Sequence, residues 1–385
     1  MKKSVKIGDI LTISRGASPR PISKYITTNS DGINWIKIGD VEPNSIYITK
    51  TEEKITPEGA KKSRLVKEGD FILSNSMSFG RPYILKINGC VHDGWLILSD
   101  YEESLISSYL YYLLRSPVIQ SQFDGSANGS TVRNLNSDIV RNVKVSIHTD
   151  KKVQKDIVNR LDTIQAAIDN KKKQLSLLDE AVKSEFVEMF GENPVKSGKW
   201  SIMKLNSISD VRDGTHDSPS YYSEGYPFIT TKNLIDGTID FSTASLICKK
   251  DYEHFDKRSH VDDGDILMPM IGTIGGAILV KKERDFAIKN VALIKPNADN
   301  SNLNFNFLLY VLNSDFMFNH FNHFKTGGTQ KFISLSFIRE LPIPIPPLDL
   351  QNQFAAFVQQ IDKSKFVLQQ QLQFIKKYDI MTSWR

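Results

Sequence analysis

A few groups of residues in this chain have types and spacings that could do chemistry. Asp40 with Glu52, Glu53 and Lys54 resembles the acid-plus-Glu-x-Lys arrangement of one metal-dependent nuclease class. Patterns this short arise by chance in chains of this length, and the second half of the chain does not repeat it. His320 and His323 have His-x-x-His spacing in an aromatic-rich stretch. No third ligand stands nearby, so packing is a simpler reading than zinc. The tetrapeptide "ENPV", residues 192–195, keeps only the Asn-Pro of the "NPPF" or "DPPY" that an adenine methyltransferase needs. No "GxxxxGK[ST]" loop is present to cradle nucleotide phosphates. Cys90 and Cys248 lie far apart and in no metal spacing, which fits a reduced, cytoplasmic setting. The residues argue against chemistry carried by this chain alone.

The elements that would position such residues are those of an ordinary soluble globular chain. Its 385 residues suffice for two domains, with 40% hydrophobic and 24% charged residues. No run approaches the roughly eighteen apolar residues of a membrane span, so no membrane partner is expected. The start, "MKKSVKIGDIL", lacks an apolar signal region and a small-residue cleavage site. A net charge of +5 is compatible with a polyanionic partner without requiring one.

Laid on itself, the chain repeats. "GSTVRNLNSDIVRNVKVSI" from Gly129 matches "GGTQKFISLSFIRELPIPI" from Gly327, an offset of 198 residues. Thr131 meets Thr329, Arg133 meets Lys331, Leu135 meets Ile333 and Arg141 meets Arg339. Upstream, "GDFILSNSMSFGRPYIL" echoes "GDILMPMIGTIGGAILV", and "IGDILTISRGASP" echoes "LNSISDVRDGTHDSP" with Gly16 opposite Gly214. Each half runs from a strand-rich α/β segment with one late helical stretch into a long helix. The expected fold class is therefore a duplicated α/β (α+β) domain. Its boundaries are 1–148 for the first domain, 149–190 for its helix, 191–200 for a hinge, 201–347 for the second domain and 348–385 for its helix.

In the first long helix Ile157, Leu161, Ile164, Ile168, Leu175, Leu178 and Val182 follow alternating steps of four and three. In the second, Phe354, Val358, Ile361, Leu368, Leu372 and Ile375 keep the same rhythm. That is a coiled-coil seam, interrupted once in each helix by Lys171 or Lys365. "GENP", residues 191–194, ends the first helix with a glycine and a proline. Before the second helix, "PIPIPPLDLQ" alternates proline with isoleucine, so the segment can form an edge strand but cannot recruit another. It reads as a stiff joint between domain and rod. The matching "VKVSIHTDKKVQ" lacks the prolines, and a looser joint is expected there.

The "G-[GS]-T-x-[KR]" and "IPIPPLxxQ" patterns, together with the duplication and the helix pair, resemble the specificity subunit of type I restriction-modification enzymes. The resemblance covers essentially the whole chain and departs from the family only where the first joint lacks prolines. It implies two target recognition domains, pseudo-twofold related, separated by two long antiparallel helices. Each domain would read one half of a bipartite, asymmetric double-stranded DNA target. The helices would carry the surface for two methyltransferase subunits that methylate adenine, and motor-nuclease subunits would cleave unmodified DNA. No cofactor is then expected on this chain; S-adenosylmethionine, ATP and Mg would act on the partners. A flipped adenine needs a pocket that such a partner supplies.

Reading bases needs hydrogen-bonding side chains on loops, backed by cations for phosphates. Three loops in each half fit. The first half offers Arg15, Arg20 and Lys24, then Asn75, Ser76 and Arg81, then Asn128, Thr131 and Arg133. The second offers Arg212, Thr215 and His216, then Thr273, then Lys325, Thr329, Gln330 and Lys331. Glycine, serine and threonine also mark ordinary turns, so the case rests on the set recurring at equivalent positions with different side chains. Two other functions stay open at this point: a coiled-coil adaptor that binds proteins, and a metal-dependent nuclease. The cluster "NKKKQ", residues 170–174, reads as a solvated helix face, and Phe316, Phe318, Phe321 and Phe324 read as core.

Overall fold

The computed structural model describes residues 2–42, 45–75, 80–127, 135–235, 237–271, 276–297, 302–324 and 332–382. Contacts divide the chain into two compact units, residues 1–171 with 371–385, and residues 172–370.

In the first unit the runs "FILS" and "WLILS" become the central strands Phe71–Ser74 and Trp95–Ser99. Apolar and β-branched side chains on both faces suit a sheet covered on both sides. The sheet orders Thr12–Arg15, Trp95–Ser99, Phe71–Ser74, Pro82–Leu85 and Tyr47–Ile48. Alternate residues serve different layers. Phe71, Leu73, Leu96 and Leu98 pack with Tyr109, Leu110 and Phe123 of the helices Ser107–Arg115 and Pro117–Ala127. Ile72, Trp95 and Ile97 pack instead with Ile36 and Val91 of a second sheet. That sheet contains the parallel pair Ile33–Ile36 and Gly89–Val91.

The second unit repeats the plan. Ser209–Asp213, Val291–Pro296, Ile266–Pro269 and Ile278–Leu279 form its central sheet in that order. Ile266, Met268, Ala292 and Ile294 face the helices Phe305–Asn313 and Asp315–Phe324. Leu267, Val291 and Leu293 face Ile229 and Ile288, which lie in another parallel pair. Phe321 is fully buried, but Phe318 is 46% exposed and is not core as expected. The buried stripe runs through Met317 and Phe321, four residues apart, and Phe318, the next residue after Met317, is turned about 100° away from it. The side chains of His323 and Phe324 lie outside the described set.

Each unit closes with a two-stranded ribbon that leads into a long helix. Lys2–Lys6 pairs with Lys144–His148, and Ser201–Lys204 pairs with Pro342–Ile345. The proline segment is thus a strand in a ribbon of two, with Ile343 buried beneath it. The helices are Lys151–Phe190 and Leu348–Thr382.

The expected looseness of the first joint is not found. A fully buried glutamine pins it, and its counterpart pins the second joint in the same way. Gln154 Oε1 accepts the Ile106 N–H at 2.9 Å, while Nε2 donates to the carbonyls of Ser104 (2.9 Å) and His148 (2.7 Å). Gln351 Oε1 accepts the Asn304 N–H at 2.9 Å, and Nε2 donates to Asn302 (3.0 Å) and Pro346 (2.8 Å). The amide binds backbone, so prolines are not required for the joint to be fixed.

Within the second unit the two helices run antiparallel. Phe186 and Phe190 meet Phe354 at ring separations of 5.5 and 5.6 Å, whereas Asp179, earlier on the first helix, pairs with Lys365, later on the second. Leu161, Ile168 and Phe354 are buried; Ile157, Ile164, Leu175, Leu178, Val358, Ile361, Leu368, Leu372 and Ile375 are partly covered. The residues between them are mostly exposed. Lys365 sits on the covered side and reaches out to Asp179 and Asp362. Gly191, at φ +94°, ends the first helix. Beside the segment read as a hinge, Trp200 Nε1 donates to the Phe190 carbonyl at 3.1 Å.

Replacing either glutamine with alanine strands buried N–H and C=O groups. Gln154→Ala and Gln351→Ala should each cost about 3 kcal/mol, read as a lower urea midpoint of the unit concerned. A wild-type midpoint for either variant would contradict a pinned joint.

Candidate nucleic-acid interface

The loop after Thr12–Arg15 begins at Gly16, whose backbone lies against the segment preceding the next central strand. A Cβ at Gly16 would stand 2.2 Å from the His92 carbonyl oxygen, and one at Gly214 would stand 2.3 Å from that of Ile288. Gly16 N–H donates to Trp95 (2.9 Å) and Gly214 N–H to Val291 (3.0 Å). Only glycine allows this approach, so both halves start the loop from the same anchor.

In the first unit Asp93 gathers the neighbouring side chains. Its carboxylate accepts Ser18 Oγ–H at 3.0 Å and Arg20 Nη2–H at 3.2 Å, and lies 3.1 Å from His92 Nε2. Its carbonyl accepts Arg15 Nε–H (3.1 Å) and Asn75 Nδ2–H (3.2 Å). Burial pushes this carboxyl upward, but the Ser18 hydrogen bond and the charges of His92 and Arg20 outweigh it and hold the pKa below its ordinary value. Three expected DNA-facing residues, Arg15, Arg20 and Asn75, are thereby brought together. Leu135, which follows the third loop in sequence, is tied to Asn75, whose carbonyl accepts the Leu135 N–H at 2.9 Å.

The second unit has the same main-chain bond beside its loops, with other side chains. Ile333 N–H donates to Met270 at 3.0 Å, the counterpart of the Leu135–Asn75 bond. Asp213 is buried and pairs with Arg258 and with His216 Nε2 at 3.1 Å, while His216 Nδ1 lies 2.7 Å from Asn290 Oδ1. Arg212 is drawn aside to Asp210 and to the Arg258 carbonyl. Thr215 is buried and its hydroxyl accepts the Asp217 N–H, so it shapes the turn. Behind the loops, Arg141 donates to the Ile13 carbonyl and Arg339 to that of Val211.

Arg81 lies over the Tyr83 ring at 5.4 Å, and Lys24 is exposed at the end of the short helix Ile22–Lys24. Ser76, Asn128, Thr131, Arg133, Thr273, Lys325, Thr329, Gln330 and Lys331 lie outside the described residues. Sequence reasoning missed Asp93, Ser18, Arg258 and Asn290. The turn "HDG" before "WLILS" marks Asp93 as a loop acid, but only folding brings it to residues 15–20.

Asp40 and Glu53 are engaged in local structural contacts. Asp40 accepts the N–H groups of Glu52 (3.0 Å) and Lys37 (2.6 Å), and Glu53 pairs with Lys37 Nζ at 3.0 Å. His320 stacks on Phe337 at 5.7 Å. Among the described residues no group of three His, Cys, Asp or Glu could hold a metal ion. No described helix is long and apolar enough to cross a membrane.

Arg20 is 82% exposed in its side chain, so its ion pair with Asp93 contributes under about 1 kcal/mol. The folded-state pKa of Asp93 is depressed, so its ionised form stabilises the loop above the unfolded value of about 3.9 and that contribution fades as pH falls below it. Asp93→Asn should therefore cost under about 1 kcal/mol and abolish the acid sensitivity of residues 16–24. Asp93→Ala, which also removes the Ser18 bond, should cost about 1–2 kcal/mol. Hydrogen exchange at the Asp93 amide, itself bonded to Ser18 Oγ, reports both.

A family model described as the type I restriction modification DNA specificity domain matches this chain twice, over residues 2–179 and 197–376. Among similar proteins, the type I restriction enzyme MjaIX specificity subunit of Methanocaldococcus jannaschii is 24% identical, covering 97% of this chain and 89% of its own length. A putative type I specificity subunit of Haemophilus influenzae is 29% identical over 43% of this chain and 40% of its own. Among solved structures, a type I restriction-modification system S subunit from M. genitalium aligns with a TM-score of 0.54 at 14% identity, covering 98% of this chain and 93% of that one. A chain from a study of assembly and conformational transition of the type I system aligns at 0.59 and 16% identity, covering 100% and 97%. Both share the fold. Two matched copies of one domain, spanning nearly the whole sequence, place this chain in the family of type I restriction-modification specificity subunits, the non-catalytic recognition components of those complexes.

Proposed function

We propose that this chain reads DNA sequence for a type I restriction-modification complex in the cytoplasm. Each unit binds one half of a bipartite, asymmetric duplex target. The chain directs adenine methylation by two methyltransferase subunits and restriction by motor-nuclease subunits. S-adenosylmethionine, ATP and Mg belong to those partners. What supports the reading most is the pairing of equal anchors with unequal side chains: Gly16 and Gly214 start the loops alike, yet Arg15, Arg20 and Asn75 on one side answer to Arg212 and His216 on the other. Two sites that read different bases on one scaffold need that combination. The arginines supply bidentate donors suited to guanine edges or phosphates. Ser76, Asn128, Thr131, Arg133, Thr273, Lys325, Thr329, Gln330 and Lys331 enter the proposal from their sequence positions.

The two long helices act in this proposal as a ruler for the gap between half-sites. Adding one heptad to each lengthens the rods by about 10 Å. At about 3.4 Å per base pair, the unread centre of the methylated motif should grow by about three pairs. An active complex whose motif keeps its original gap would remove the ruler.

A further inference from the structure

The strand ribbon of the first unit has two unlike faces. Residues directly opposite in an antiparallel ladder share a face. Val5 with Val145 and Lys3 with Ile147 lie on one, and Lys2 with His148, Ser4 with Ser146 and Lys6 with Lys144 lie on the other. Val145 and Ile147 are buried in the core of the unit. On the opposite face Lys2, Ser4, Lys6, Lys144 and Ser146 are all exposed.

That polar face works against the fold that carries it. Like charges directly across a ladder are destabilising, and Lys6 faces Lys144. Lys6 Nζ donates to the neutral Asn142 Oδ1 at 3.0 Å and not to a carboxylate. Burial, followed by the positive charge of Lys2, holds His148 below its ordinary pKa. The second ribbon pairs Ser201, Ile202, Met203 and Lys204 with Ile345, Pro344, Ile343 and Pro342, and its one lysine is neutralised by Glu340. A cationic surface that costs stability, and that the duplicate joint does without, fits an anionic occupant.

We propose that this face of the first ribbon binds DNA backbone phosphates, as a sequence-independent contact separate from the base-reading loops. The inference rests on the DNA-reading function proposed above. Lysines provide point charges for phosphates, and serine hydroxyls provide the hydrogen bonds that position a backbone without reading bases. From Lys2 to Lys6 the strand extends about 14 Å, which matches about four base-pair steps of a duplex.

The test uses the full-length chain and a short duplex of arbitrary sequence, with affinity followed by fluorescence anisotropy over a range of KCl concentrations. The double variant Lys6→Gln, Lys144→Gln should lower the slope of log affinity against log salt by about 1.8, or about 0.9 for each phosphate left without its lysine. Its thermal midpoint should stay level or rise, since a like-charge pair has been removed. Lys204→Gln in the second ribbon should leave the slope unchanged. Salt-sensitive binding by the wild type with an unchanged slope in the double variant overturns the ribbon contact alone. A wild type with no salt-sensitive DNA binding overturns the DNA-reading function and the ribbon together. A double variant that binds DNA normally but no longer co-purifies with its methyltransferase assigns the face to a protein partner, and this also overturns the DNA contact.

Discussion

The architecture depends on how a buried side-chain amide finishes the backbone bonding at each domain–rod junction. Where a strand ribbon turns into a helix, several main-chain donors and acceptors lose their regular partners at one place. A glutamine can accept one N–H and donate to two carbonyls without bringing a charge into the interior. Gln154 and Gln351 both do this, each tying the end of its ribbon and the segment before a domain helix to the first turns of a long helix. These bonds fasten the first turns of each long helix to the unit that precedes it.

The same economy governs the candidate interface. Loops are tied down by main-chain bonds and by arginines that reach main-chain carbonyls, so their own side chains can differ between the two units. Gly16 and Gly214, Leu135 and Ile333, and Arg141 and Arg339 occupy matching places. What they hold differs: an Asp93-centred group in the first unit and an Asp213-centred group in the second. The acid hubs come from unrelated positions in the repeat. Asp93 lies in the turn before a central strand, whereas Asp213 ends the strand ahead of the loop. Exposed ion pairs of the Arg20 kind are weak enough to exchange their partner for a phosphate or a base.

Much of this was legible in the sequence because the repeat is written in apolar spacing. The steps of four and three mark the rods, and the echoed stretches from Gly69 and Gly264 hold the continuous apolar runs that strands buried on both faces demand. The first joint escapes a sequence reading for a physical reason. Gln154 sits in "DKKVQ", which looks solvated, and its burial follows from contacts with residues 104–106 that no local pattern reveals. Phe318 misled in the opposite sense, an aromatic residue whose helical phase points outward. In the candidate interface, loop positions could be found from glycines and polar residues, but the grouping of Arg15, Arg20 and Asn75 around Asp93 depends on long-range packing. Long-range pairing also hid Arg258, which arrives from the helix Lys249–Ser259.

The central claim is that two differently dressed copies of one scaffold choose where DNA is modified. Base-modification sequencing of genomic DNA tests it most directly, comparing cells that carry this chain and its neighbouring methyltransferase subunit with cells lacking only this chain. The account predicts that an asymmetric, two-part adenine motif disappears with the chain. An unchanged methylation pattern, with the methyltransferase demonstrably active, would contradict it and turn attention to a protein-binding role for the two domains.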